Sequence, residues 1–543
     1  MSSPPINNCV DEALCGLVRA SGALSLLKGH RVVLRSDLGN LRGKVALLSG
    51  GGSGHEPAHG GYVGAGMLSA AVAGGVFASP PPASILAAIL SLHNAGASGV
   101  LLIVKNYTGD RLNFGLAAEQ ARNHGVAVDM VIVAEDCAFD QPSKAGRRGL
   151  CGTIFIHKLA GALAEEGCSL DEIVSQVTEV LKGIGTLGVS LSPCSVPGCL
   201  PSFDLPPGDM ELGLDKVVKT MIDHMTNPDS QSHLPLKSGP PSLVVVVCVN
   251  NLGALSCLEM AVVTRAAIIC LESRGVEVAR VMSGSFMTSL EMAGVSLTLM
   301  KANQETLRLF DTKTSAPAWP TVSSVCVSGR SYITNPEATS TPPQADTHSE
   351  GPLSPLMRQV LGRICSTLLE KQEELNSLDR AAGDGDCGNT HAQAARAIQE
   401  WLQDHVVPGC PGKLLSVLAG LVQEKMGGSS GALYSLFLTA AAGHVSEARA
   451  DAAAWASAMH AGTQAMKRYG GADTGDRTMV SDWFLSFFFY FSSTSGAEST
   501  RDLTARAGRA SYIAAERVTL PDPGAVAVAT ILKAVLESLE GQK

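Results

Sequence analysis

An α/β amino-terminal region joined to an all-helical carboxyl-terminal region is the fold class that this 543-residue chain predicts. Three observations predict it. Up to about residue 333, apolar β-type runs alternate with helical stretches. A segment rich in Pro, Thr, Ser and acids, "TNPEATSTPPQADTHSEGPLSP" (334–355), then breaks the pattern and reads as a linker. Beyond it, only helical spacing recurs. Composition agrees, because 45% apolar residues, only 4% aromatic ones and 57 glycines suit Ala/Val/Leu/Gly-rich α/β proteins better than β-sandwiches. The length itself suggests about three or four compact units.

Taken in order, "KVALLSG" (44–50), "GVLLIVKNYTG" (99–109), "VDMVIVAED" (128–136) and "SLVVVVCVNN" (242–251) are the strand candidates. Their near-continuous apolar runs imply a largely parallel sheet buried on both faces. The intervening "PASILAAILSLHNAG" and "LNFGLAAEQARNHG" have helical spacing. After the linker come "LMRQVLGRICSTLLEKQEELNSL", "THAQAARAIQEWLQDHV", "GKLLSVLAGLVQEKM" and "GAVAVATILKAVLESLEG", all with helical spacing and none with convincing strands. The expected boundaries are 9–333 for the α/β region, 334–355 for the linker and 356–543 for the helical region.

Several classes of function are disfavoured. A net charge of -9 and the lack of any Lys/Arg block give no nucleic-acid footprint. Fourteen cysteines without C-x-x-C pairs signal neither a disulfide framework nor a zinc site, so reduced thiols and a cytosolic setting are expected. The first residues, "MSSPPINNCVDEALCGL", lack the charged and apolar regions of a secretory signal. The most apolar aromatic run, "WFLSFFFYF", is too short to cross a bilayer, so no membrane span is expected.

Two constellations carry chemistry. In "LLSGGGSGHEPAHGGYVGAGM", Gly52, Ser53, Gly54 and His55 follow a predicted strand directly. Ligands in α/β sheets bind at the carboxyl ends of strands, where glycines let backbone N–H groups approach oxygen atoms. The same glycines also suit a plain tight turn. A second strand end, "LLIVKNYTGDRLNFG", offers Lys105 and Asp110. A lysine, a carboxylate and a histidine in one crevice are the means to bind hydroxyls and move protons, as a polyol or hydroxyketone substrate requires. The other constellation is "LDRAAGDGDCGNTH", which crowds Asp379, Asp384 and Asp386 among small residues. Like charges this close are favourable mainly when a cation neutralises them, and hard Mg²⁺ suits carboxylate oxygens. A solvated turn is the plain alternative. "EKMGGSSGALY" opens an apolar helix with Ser429, Ser430 and Gly431, where N–H groups either hold a phosphate or simply cap the helix.

With "GRRGLCGTIFIHKLAGALAE", "TLGVSLSPCSVPG", "NNLGALSCLEM" and "GSFMTSLEMAGVSLTL", these stretches closely resemble the ATP-dependent dihydroxyacetone kinase family over nearly the whole chain. The resemblance implies a substrate-binding domain of two α/β subdomains and a nucleotide-binding barrel of antiparallel helices. It implies that Gly52, Ser53, Gly54, His55, Lys105 and Asp110 contact dihydroxyacetone, with His55 and Asp110 as acid/base groups. Asp379, Asp384 and Asp386 match the family's D-x-x-x-x-D-x-D metal pattern. Cys387, Gly388, Asn389, Thr390, Ser429, Ser430, Gly431, Gly470, Thr478, Arg509, Asp522, Pro523 and Gly524 match its nucleotide contacts. The implied reaction is phosphoryl transfer from Mg-ATP to dihydroxyacetone or glyceraldehyde. Animal members also split FAD into AMP and riboflavin cyclic 4',5'-phosphate, with Mn²⁺ or Co²⁺ as alternative ions. Family members are homodimers.

The chain departs from that pattern twice. The family's G-I-H-G-E segment, whose histidine binds the substrate carbonyl covalently, is missing where "MELGL" runs directly into "DKVVKTMIDHM". The nearest histidine, His224, sits in a helical pattern and is expected to be structural. After "GDRTM", the block 480–507 replaces what the resemblance makes two amphipathic helices. These departures keep a second reading open, in which the chain is a catalytically impaired variant that works through binding or heterodimerisation.

Overall fold

Strand and helix alternate in the first 335 residues because apolar β-branched runs end in turn chemistry, with glycines such as Gly96 and Gly125 at positive φ just past two of the helices. The computed structural model describes residues 9–142, 144–192, 194, 214–236, 243–333, 349–381, 383–446, 449–473, 475–479, 493–506, 510 and 519–540. The chain divides into two compact units, 1–335 and 336–543. The expected linker core, 334–348, and most of the altered block, 480–492 and 507, lie outside the described residues.

In the first unit the order is α1 (Cys9–Arg19), β1 (Leu24–Leu26), β2 (Val32–Arg35), β3 (Val45–Ser53), β4 (Ala70–Val76), α2 (Pro82–Asn94), β5 (Gly99–Lys105), α3 (Thr108–Asn123), β6 (Val128–Val133), α4 (Thr153–Glu165), α5 (Leu170–Leu181) and β7 (Ile184–Ser190). Then follow α6 (Leu214–Met225), β8 (Leu243–Asn251), α7 (Cys257–Glu272), β9 (Val276–Gly284), β10 (Gly294–Lys301) and α8 (Gln304–Asp311). These build two sheets, ordered β1-β2-β4-β3-β5-β6 and β7-β10-β8-β9.

In the first sheet β4, β3, β5 and β6 are parallel, and β1 and β2 add an antiparallel edge. The second sheet corrects the expectation of a largely parallel arrangement. Only β8 and β9 run parallel there, and β10 pairs antiparallel with both β7 and β8. Burial on both faces produces the same apolar run in either direction, so composition could not distinguish them.

Helices α2 and α3 cover one face of the first sheet through Ile85, Ile89, Leu92, Phe114 and Ala118. The other face packs on α4 and α5, and α4 also meets the second sheet at Val246, Met282 and Met300. Residues of α6 and α7 close the far side. Helix α4 is therefore apolar almost all round, with Phe155 fully buried. Truncating Phe155 to Ala would cost roughly 3–5 kcal/mol.

The second unit contains α9 (Ser354–Glu370), α10 (Gln372–Arg380), α11 (Cys387–Asp404), α12 (Pro411–Lys425), α13 (Gly428–Ala442), α14 (Ala452–Gly470), α15 (Ser493–Ser499) and α16 (Pro523–Glu540). Among its described residues there is no strand beyond one bridge between Ser446 and Arg449. Neighbours follow one another as α16, α9, α11, α12, α13 and α14. Their inward stripes form apolar clusters around Tyr434, Phe437, Met466 and Val528. Asp451 caps α14 by accepting a hydrogen bond from the Ala454 N–H, and Gly471 ends that helix in the left-handed conformation.

Candidate functional site

The glycine loop leaves β3 between two walls. A Cβ on Gly52 would meet Phe77 Cα at 2.9 Å, so only glycine fits there. The Glu56 carboxylate accepts from the Gly54 N–H at 2.9 and 3.1 Å, and Leu290 N–H donates to Gly54 O, pinning the loop. His55 donates from Nδ1 to the Thr288 carbonyl at 2.7 Å. A carbonyl only accepts, so the proton lies on Nδ1 and Nε2 keeps its lone pair. Burial, with the nearby Lys105 charge, holds His55 down at about 4, against the pull of Thr288, so at neutral pH it is an uncharged base.

Lys105 ends β5 and Asp110 lies in the first turn of α3; both are 4% exposed. Burial lowers the Lys105 pKa while Asp110 and Glu135 oppose that. Burial raises that of Asp110, opposed by Ser79 and Lys105, and Asp110 Oδ1 is buried without a hydrogen-bond partner. Strand ends thus bring a neutral base, a cation and a carboxylate with unspent hydrogen-bonding capacity into one electrostatic neighbourhood. A cavity of about 620 Å³ beside them is lined by Gly52, Ser53, Gly54, His59 and residues of α1, but not by His55, Lys105 or Asp110. Ser53 donates its hydroxyl hydrogen to Gly74 O at 2.9 Å. His224 bonds the Cys137 carbonyl through Nε2 at 2.8 Å, which is a structural use.

In the second unit, Asp379 ends α10 and turns one carboxylate oxygen to the loop that follows. Its Oδ2 accepts from the N–H groups of Gly385, Asp386 and Cys387 at 3.0, 2.9 and 3.1 Å. One ligand oxygen from each of Asp379, Asp384 and Asp386 lies within 4.8 Å of the others. Three hard oxygen donors so close together fit a small divalent cation such as Mg²⁺. Gly388 lets α11 press on α10, since a Cβ there would lie 1.8 Å from Gln372 O. Asn389 is fixed by Gln372 and Asn376.

A cavity of about 220 Å³ gathers Asp379, Asp384, Asp386, Cys387, Thr390, Ser429, Ser430, Thr478, Asp522, Pro523 and Gly524. It faces the starts of α11, α13 and α16, whose N–H groups favour anions. Gly388, Asn389, Gly431 and Gly470 do not line it. Arg509 lies outside the described residues. Burial pushes Asp522 up to about 6, although it accepts from the Ala525 N–H at 2.8 Å. Burial also pushes the Cys387 thiol up to about 12, so it is no thiolate ligand.

Sequence reasoning passed over Arg477 and His59. Arg477 is 1% exposed, adopts φ 56°, lines the carboxylate cavity and leaves Nε and Nη1 without partners. Its clue was a cation one residue before Thr478. His59 lay in plain view in "GHEPAHGG".

An α/β unit with a polar strand-end crevice, and a helical unit whose carboxylates face three helix starts, have the features of a two-domain enzyme that handles phosphates. Comparison with known proteins makes the class specific. Residues 15–318 match the Dak1 domain, and 381–484 with 490–537 match the DAK2 domain. Human "Triokinase/FMN cyclase" is 52% identical over 569 residues, spanning 98% of each chain. "Dihydroxyacetone kinase" of Citrobacter freundii is 37% identical over 545 residues, covering 94% of this chain and 93% of its own length. A crystal structure of the C. freundii enzyme in complex with AMP-PNP and Mg²⁺ aligns over 99% of both chains with a TM-score of 0.65 and 33% identity. The chain belongs to the dihydroxyacetone kinase family and is an enzyme. Among the described residues, no helix is long and apolar enough to cross a membrane.

Proposed function

We propose that this chain phosphorylates dihydroxyacetone and glyceraldehyde from Mg-ATP and also cleaves FAD to AMP and riboflavin cyclic 4',5'-phosphate. The observation that carries it is the cluster of Asp379, Asp384 and Asp386 facing the starts of α11, α13 and α16. When bound there, Mg²⁺, or Mn²⁺ or Co²⁺ for FAD cleavage, neutralises phosphate charge. Asp379 keeps the loop folded through its second oxygen. The N–H groups at Ser429 and Ser430 and the groups around Thr478, Asp522, Pro523 and Gly524 orient the phosphates, with Arg509 from the family pattern. In the α/β unit, Gly52, Ser53, Gly54 and Lys105 hold the acceptor. His55 Nε2 takes the proton of its attacking hydroxyl, and Asp110 steadies that hydroxyl.

FAD cleavage needs only the carboxylate cavity, because the attacking hydroxyl belongs to the flavin's own ribityl chain. The name of the 52%-identical relatives supports it. A homodimer in the cytosol completes the proposal. The binding-only reading has no support from relatives, since those reported above are all named as enzymes. Lacking the family's carbonyl-binding histidine segment, the chain is expected to discriminate weakly between dihydroxyacetone and glycerol. Purified protein with Mg-ATP and each acceptor tests the proposal, and no phosphorylated product from any of them sinks it. Incubation with FAD tests the second activity separately.

A further inference from the structure

Behind the glycine loop lies a chain of buried polar groups that the proposed mechanism leaves unused. Ser49 on β3 donates its only hydroxyl hydrogen to Ile103 O at 2.7 Å. Its oxygen also lies 3.3 Å from His59 Nδ1, so there it accepts and Nδ1 bears the proton. His59 Nδ1 is also 3.0 Å from Nε2 of His157, a fully buried residue of α4. His59 is 6% exposed, and burial, reinforced by Lys105, His157 and His55, lowers its pKa well below the usual range, keeping the ring neutral. Its Nε2 therefore carries a bare lone pair, and that atom is buried with no hydrogen-bond partner. A buried acceptor left unmatched is unfavourable, and a ligand hydrogen bond would recover that cost.

Gly51 shows where that lone pair is available. A Cβ on this residue would lie 3.3 Å from Lys105 Cε, 3.5 Å from Lys105 Nζ and 3.6 Å from His59 Nε2. Any larger side chain would cover both nitrogens. The glycine leaves an ammonium donor and an imidazole acceptor facing the same small space beside its Cα, and Gly51 and His59, though not Lys105, line the 620 Å³ cavity next to it. A donor and an acceptor side by side suit a hydroxyl, which accepts and donates at once. A ketone oxygen satisfies Lys105 alone, and a carboxylate would face the lone pair unfavourably.

We propose that His59 is a specificity-determining residue whose Nε2 accepts a hydrogen bond from one hydroxyl of a small polyhydroxylated acceptor while Lys105 donates to the same oxygen. This rests on the acceptor-binding role proposed above for the α/β unit and adds the group that reads a hydroxyl rather than a carbonyl.

The test uses the full chain and two ligands that differ by one hydroxyl, dihydroxyacetone and hydroxyacetone, with affinities measured by calorimetry. The wild type should bind dihydroxyacetone about 10-fold or more tighter, the size expected when a buried polar group loses its partner. His59→Phe should narrow that ratio to about 2-fold while the KM for ATP stays unchanged, and His59→Gln, which restores an acceptor oxygen, should recover part of it. A merely structural histidine would change stability and leave the ratio alone. If His59→Phe fails to fold, His59→Gln and the ¹⁵N signal of wild-type His59 Nε2 decide: the signal should move toward that of a hydrogen-bonded ring nitrogen with dihydroxyacetone only. An unchanged ratio in the variants, or a signal that ignores dihydroxyacetone, overturns this inference and leaves the kinase reading standing. A wild type that neither binds nor phosphorylates dihydroxyacetone overturns both.

Discussion

The strand-end crevice and the carboxylate cavity solve opposite electrostatic problems. In the α/β unit, Lys105, Asp110, His59 and His157 are buried and His55 is partly so, and burial disfavours the charged form of each. In the helical unit, Asp384 and Asp386 are exposed, and the group is close-set and like-charged. The first site is prepared by desolvation and is costly before any ligand arrives; the second is complete only with a cation. On the proposed function, one enzyme would preorganise an uncharged acceptor with fixed dipoles and a polyanion with helix starts and a metal.

The largest effect that would break this contrast lies in the second site. Asp384→Ala, or chelation of divalent ions, should lower phosphorylation and FAD cleavage together by about 10³-fold. A loss under about 10-fold in the coupled assay would remove the cluster from the chemistry. Next, His55→Gln should cut phosphorylation by about 10²–10⁴-fold and leave FAD cleavage intact, which separates the two sites in a single protein. Parallel loss of both activities would argue against that division.

The third prediction concerns acid. Burial holds His55 at about 4 and His157 at about 3, both below the usual 6.5. Between these values the unfolded chain takes up protons that the folded chain refuses, so this contribution to stability is present above pH 6.5 and is lost as pH falls toward 4 and then 3. Urea melts of the α/β unit's transition should weaken by about 2–4 kcal/mol between pH 6.5 and 4.5, with a shallower slope in His55→Gln. A flat profile would show these rings to be solvated. Smallest, Lys105→Met should destabilise the fold by about 1–3 kcal/mol and weaken acceptor binding, because the buried carboxylates of Asp110 and Glu135 lose the cation that faces them. Unchanged stability in thermal melts would mean that those carboxylates are neutral or solvated.

Much of this was legible in the sequence because it is local. "GVLLIVK" and "KVALLSG" read as buried strands since all of β5 except Lys105 and all of β3 except Ser49 and Ser53 is apolar or glycine, and the strands are so placed. The aspartates stand within eight residues, so their spacing alone brought them together. The direction of β7 and β10 was not legible, because pairing is set by distant chain segments. Nor was His59, whose proton position depends on Ser49 and on His157, 98 residues away. Arg477 escaped notice for the same reason: its burial depends on distant chain such as Leu520, whose carbonyl accepts from its Nη2.

Asp379 Oδ2 gathers three N–H groups of the loop that carries Asp384 and Asp386. The N–H bonds from Gly385, Asp386 and Cys387 tie the loop to the end of α10 through protein atoms alone, so its shape does not depend on a cation to bridge it. Ion turnover should then be governed by how fast a hydrated cation sheds water rather than by chain rearrangement. Successive nucleotides, each arriving with its own ion, would meet a receptacle already in form.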